Sequence, residues 1–263
     1  MKGYSAIGTA AEDGDREGYD LSGRGVVLGL DRTFGELVLG VAGGTFNQTM
    51  AMDSSGSYSG AGTHATVYAS HGIEGWFFET SASLSSASLA FESDGAFEID
   101  ADYTATDLIF RLGTGYIMRN ERSSWTPEVG LVVNMYSQDA VTDNSVNSVP
   151  VELDALSQMG FQMQLGLTGA FRRNFIGREL LTQLKVRWMN SLGIVDEEID
   201  FQLSGGSDSY QMPLLTPAKS LIEIGVGTQL RMNRSFSLLL GFDYEFGGGY
   251  SANRLNAGLR YNF

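Results

Sequence analysis

At 263 residues, with 43% hydrophobic content and no cysteine, the chain has room for one large domain and offers neither disulfides nor thiolate metal ligands. A net charge of −14 argues against nucleic acid as a partner, because such binders need a basic face. No stretch approaches eighteen apolar residues, which excludes a transmembrane helix but not a membrane-spanning barrel, whose alternation halves the apparent hydropathy.

Glycine is abundant at 34 and proline scarce at 4, a balance that suits long paired strands. Period-2 alternation predicts about twelve of them, near 2–10, 19–32, 37–51, 62–71, 76–92, 101–119, 125–137, 155–172, 179–192, 217–231, 235–246 and 251–263. In the fifth, Trp76, Phe78, Thr80, Ala82 and Leu84 face away from Glu79, Ser81 and Ser83. Leu108, Phe110, Leu112 and Tyr116 then alternate with Asp107 and Arg111, and Val129, Leu131 and Val133 with Glu128 and Gly130. Met159, Phe161, Met163, Leu165 and Leu167 alternate with glutamines and glycines, and Leu184, Val186 and Trp188 with Lys185 and Arg187. Ile222, Ile224 and Val226 oppose Glu223; Phe236, Leu238, Leu240, Phe242, Tyr244 and Phe246 oppose Asp243 and Glu245. The closing strand sets Leu255, Ala257, Leu259, Tyr261 and Phe263 against Arg254, Asn256, Gly258, Arg260 and Asn262.

A strand with one greasy and one wet face needs lipid on one side and water on the other. The expected fold is all-β: a transmembrane antiparallel up-and-down barrel of about twelve strands, spanning 1–263 as one domain. An even strand count puts both termini on one side. Short turns carry arginine: Arg32, Arg119, Arg122, Arg172, Arg173, Arg178, Arg231 and Arg234. Long connections carry acid, including Glu12, Asp13, Asp15 and Glu17; Asp94, Glu98 and Asp100; Asp139, Asp143 and Glu152; and, in the longest, near 193–214, Asp196, Glu197, Glu198 and Asp208. Barrels of the bacterial outer membrane have short periplasmic turns and longer outer loops, so the termini are expected in the periplasm and the acidic loops outside. Phe34, Trp76, Trp125, Phe171, Phe236 and Phe263 would then form the periplasmic aromatic girdle, and Tyr136, Trp188, Tyr244, Phe246 and Tyr250 the outer one.

Several short motifs resemble the translocator β-domain of type Va autotransporters. Gly18-Tyr19-Asp20 followed by Gly25-Val26-Val27-Leu28-Gly29-Leu30-Asp31 resembles that family's second strand, and Leu39-Gly40-Val41-Ala42-Gly43-Gly44 its third. Leu240-Gly241-Phe242-Asp243-Tyr244 and Gly258-Leu259-Arg260-Tyr261-Asn262-Phe263 resemble its last hairpin. The final segment is also similar to the β-signal by which the barrel-assembly machine recognises its clients, with Asn256, Gly258, Tyr261 and Phe263 as the recognised residues. The resemblance implies a barrel that anchors an N-terminal passenger and helps export it. Its partners would be the assembly machine, its own passenger segment, and membrane lipid with lipopolysaccharide. The passenger, signal peptide and pore-threading helix are expected ahead of this chain rather than within it.

The candidate site residues are the charges on the wet face: Glu79, Arg111, Glu128, Lys185, Arg187, Glu223, Asp243, Glu245, Arg254 and Arg260. They would wet the lumen and touch a threaded polypeptide, or pair across it to satisfy one another. Asp13-Gly14-Asp15 mimics the start of a calcium loop, but Arg24 stands where the bidentate glutamate belongs, so no metal is expected. His64 and His71 have no motif coupling them to a nucleophile, and neither catalysis nor a cofactor is expected. Gly225 and Gly227 sit mid-strand, where glycine relieves crowding rather than cradling phosphate. Two alternatives stay open from the residues alone: a stand-alone twelve-stranded porin or solute channel, and an outer-membrane hydrolase.

Overall fold

Forty large hydrophobic side chains are exposed among the described residues of the computed structural model, and only seven hydrophobic residues are buried. This inside-out distribution follows from one architecture. The described residues are 1–12, 17–53, 56–94, 98–142, 151–195, 198–203, 209–213 and 219–262. They contain no helix. Twelve strands form the wall: β1 Lys2–Ala10, β2 Tyr19–Phe34, β3 Leu37–Met52, β4 Ser57–Ile73, β5 Trp76–Asp94, β6 Glu98–Tyr116, β7 Ser123–Gln138, β8 Leu156–Phe175, β9 Arg178–Val195, β10 Ser220–Arg231, β11 Phe236–Gly247 and β12 Tyr250–Tyr261. Each pairs antiparallel with its neighbours in sequence, β7 with β8 included, and β12 pairs with β1 from Lys2↔Gly258 to Ala10↔Tyr250. The sheet is closed and has no edge, which a membrane core demands of any strand structure.

Register fixes which side chains face out. Val26, Leu28 and Leu30, then Leu39 and Val41, then Phe110 and Leu112, then Leu165 and Leu167, then Ile222, Ile224 and Val226 all stand exposed at alternate positions. The residues between them point into the barrel. At the end that carries the termini the connections are tight. Ile176-Gly177 and Glu74-Gly75 both have positive φ at their two central residues, as a type I′ hairpin turn requires.

Three sequence expectations need correction. The fourth strand starts at Ser57 rather than near 62, because Ser57, Ser59, Gly60, Ala61 and Gly62 carry too little apolar contrast to reveal the alternation. The sixth ends at Tyr116; Met118–Arg119 is a separate piece that pairs with Trp125 and Ser124. Beyond the twelve wall strands, Glu198–Leu203 and Ser209–Pro213 of the longest connection form a small sheet with Val151–Leu153 and Val141–Thr142 from another connection. The outer girdle is also smaller than expected. Tyr136 pairs with Asp107 and Tyr250 with Ala10, on inward-facing registers, so neither meets lipid. Position along a strand suggested the girdle; parity decides the face. Trp76–Tyr116, Trp125–Phe171 and Phe236–Tyr261 do pair at the opposite end, with ring centroids 5.3, 5.6 and 5.0 Å apart.

Candidate functional site

One ladder row runs Glu128, Gly166, Arg187, Glu223, Glu245 across β7 to β11, and the next runs Lys185, Gly225, Asp243, Arg254 across β9 to β12. Both lie on the face opposite the exposed hydrophobic residues. Arg187 Nη2 donates to Glu128 Oε1 at 3.0 Å, although β8 lies between their strands. Gly166 makes this possible: a Cβ there would stand 2.7 Å from Glu128 Cγ. Lys185 Nζ likewise reaches Asp243 Oδ1 at 3.1 Å across β10, over Gly225, where a Cβ would stand 2.9 Å from Lys185 Cε. Glycine at these two positions removes the side chain that would separate the charges.

Glu223 joins the two bridges. Its Oε1 lies 2.7 Å from Lys185 Nζ and 3.6 Å from Arg187 Nη1. The residue is 5% exposed, and two cations rather than a well-angled hydrogen bond compensate that buried oxygen. The result is an alternating chain, Glu128–Arg187–Glu223–Lys185–Asp243, along one wall. Arg260 Nη2 meets Asp31 Oδ1 at 3.6 Å, and the Tyr68 hydroxyl donates to Asp31 Oδ2 at 3.2 Å. Glu79, Arg111, Glu245 and Arg254 also face inward by register, but they make no ion pair among the described residues.

Asp31, Tyr68 and Asp107 belong to the same inner surface but are not among the ten candidate charges read from the sequence. Asp31 follows the outward Leu30, and that parity was a sufficient signal. His71 points outward beside Phe78. His64 points inward opposite Ser85, with Asp107 across from that serine. No hydrogen bond joins this imidazole to a hydroxyl among the described residues; Ser85 Oγ donates at 3.5 Å to the Asp107 carbonyl instead. No cluster of three metal-ligating side chains occurs among the described residues. The calcium-like stretch at 13–16 lies outside them.

In the closing strand, Asn256 stands opposite Gly241 and Tyr4, and Gly258 opposite Leu239 and Lys2. Tyr261 packs outward against Phe236. Phe263 lies outside the described residues.

An edge-free wall, apolar outside and charged inside, defines a transmembrane β-barrel with an aqueous lumen. The model of the autotransporter beta-domain family matches residues 1–245, and the chain belongs to that family. It is an outer-membrane translocator barrel for export of a passenger. The fold is similar to the translocator domain of NalP from Neisseria meningitidis, at a TM-score of 0.78 and 13% identity over 100% of this chain and 86% of that one. It is also similar to the β-domain of the Bordetella autotransporter BrkA, at 0.71 and 16%, covering 100% and 98%. The transport unit of AIDA-I from Escherichia coli matches at 0.70 and 16%, covering 100% and 89%. No curated protein matches the chain.

Proposed function

We propose that the inner wall divides its labour between a fixed charge ladder and four unpaired charges that meet the passenger during export. The observation that carries this reading is the difference between the two groups. Glu128, Arg187, Glu223, Lys185 and Asp243 pair with one another in place, whereas Glu79, Arg111, Glu245 and Arg254 make no ion pair among the described residues. An extended polypeptide in the lumen offers amides and side chains of either sign to such groups. The step is mechanical rather than enzymatic. Residues 1–263 act as one barrel domain with the passenger joined ahead of it, the termini and arginine turns lie in the periplasm, and the acidic loops face outside. Lipopolysaccharide surrounds the outer half. The assembly machine reads the last strand, with Asn256, Gly258, Tyr261 and Phe263 as its recognised residues.

The test is site-specific crosslinking with a reporter passenger fused ahead of residue 1 and stalled in transit. Photo-crosslinkers at Arg111 and Arg254 should capture the passenger more strongly than crosslinkers at Lys185 and Glu223. Equal capture at all four sites would overturn the division.

A further inference from the structure

Seven of the chain's 17 basic residues sit on one half of the rim that carries the termini. Arg119 and Arg122 flank the turn between β6 and β7; Arg172, Arg173 and Arg178 flank that between β8 and β9; Arg231 and Arg234 flank that between β10 and β11. All are exposed. Only Arg231 has a carboxylate partner among the described residues, Glu179 at 3.0 Å. The turns of the other half, Gly35-Glu36 and Glu74-Gly75, carry one glutamate each with Arg32 as the one arginine beside them, whereas the arc sets Glu121 and Glu179 against its seven arginines. In a chain of net charge −14, this arc is a concentrated exception.

The same three turns expose apolar side chains. Met118 is 48% exposed, Phe175 51%, Ile176 82% and Met232 44%. Ile176 has φ 53°. A β-branched residue is a poor occupant of the left-handed region, where asparagine or glycine is the usual choice for this turn. The turn thus holds an exposed isoleucine at the expense of backbone strain, and a contact that rewards its apolar surface accounts for that.

We infer that this arc binds anionic phospholipid headgroups of the inner leaflet, with the apolar turn residues seated at the headgroup–acyl boundary and the guanidiniums of the outward Arg173 and Arg178 and of the turn residues Arg122 and Arg234 on the phosphates, while Arg119, Arg172 and Arg231 stand on inward registers and add only their field. A single acidic protein would meet one knob. Here basic and apolar residues alternate over three hairpins, half the circumference, in the plane where the lipid-facing band ends. Arg173 and Arg178 share the outward register of Phe171 and Leu180, and Trp125 and Phe171 form the aromatic girdle beside them. This surface suits a membrane plane. The inference rests on the orientation given under the proposed function.

The experiment uses the purified barrel in phosphatidylcholine vesicles containing spin-labelled phosphatidylglycerol or spin-labelled phosphatidylcholine. The motionally restricted fraction of each lipid is read by electron spin resonance. Phosphatidylglycerol should be preferred several-fold at low salt. The preference should fall toward unity at high salt and in the variant Arg173→Gln/Arg178→Gln, while Arg32→Gln leaves it unchanged. Ile176→Asn, which relieves the turn, keeps the fold and tests the apolar part; it should reduce the preference. Absence of any preference, or a preference indifferent to the arginine variant, overturns the inference. So does an arginine variant that impairs surface display in cells without altering lipid selectivity, which points to an acidic periplasmic protein. Orientation is read separately. A Gly177→Cys variant of this cysteine-free chain should react with an impermeant maleimide only after the outer membrane is permeabilised. Labelling of intact cells overturns the orientation, whatever the vesicles show.

Discussion

Gly166 and Gly160 lie on the same strand and the same inward face, yet their surroundings differ. A Cβ at Gly166 runs into the Glu128 carboxylate, whereas nothing lies within 4 Å of one at Gly160. Gly166→Val should force Glu128 from Arg187 and destabilise the barrel by about 1–3 kcal/mol, the usual range for overpacking, while Gly160→Val should be nearly neutral. Urea unfolding of the two variants in vesicles checks this, and equal midpoints would sink the account. The neighbouring pair Gln164 and Leu165 tests the register itself. Leu165 is 44% exposed on the lipid side, and Gln164 Nε2 donates to Gln162 Oε1 at 2.7 Å on the inner side. Leu165→Arg should cost ~2–4 kcal/mol and Gln164→Arg far less. At this scale the sequence was legible wherever parity was applied. The ten charges were found by alternation, and the same alternation marks Asp31; what the sequence hides is its pairing with Arg260, which sits on the last strand and becomes a neighbour only on closure.

Elements were legible in proportion to their apolar contrast. β11, with six apolar residues at alternate positions from Phe236 to Phe246, could be read without a structure; the start of β4 could not. The small sheet from the long connections was invisible for another reason. Val151–Leu153 pairs with Glu198–Leu203 across β8 and β9, a contact that local pattern does not encode. β12 carries the test of the proposed assembly signal. Its Tyr261 packs its ring on Phe236, in a wall already bonded on both sides. Tyr261→Ala combined with Phe263→Ala should therefore lower the stability of detergent-refolded barrel by only about 1–2 kcal/mol beyond lost area. The same variant should slow appearance at the cell surface markedly. Normal surface kinetics would defeat the reading of the C-terminus as a recognition signal.

The whole molecule depends on closure. Removing Lys2–Ala10 would leave β2 and β12 with unpaired backbone in a medium that offers no hydrogen bonds. The truncated chain should fail to give the compact, heat-modifiable species on gels that the intact barrel gives, rather than give a slightly weaker one. A compact eleven-stranded product would contradict this. The family was legible from the order of short motifs along the chain, whereas the lumen's division into paired and unpaired charges needed the cross-strand register.

β1 has nine residues, and β8 has 20. Force applied at Met1 along the strand axis loads every bond of the two nine-residue ladders together, but force directed sideways into the lumen meets them one at a time. Met1 holds Leu259 through both its amino group and its carbonyl, and just beyond it Arg260 and Asp31 draw the two flanking strands together. That clasp sits where a tear would begin, so the mechanically shortest part of the wall is fastened at the point a pulled N-terminal segment would strain first.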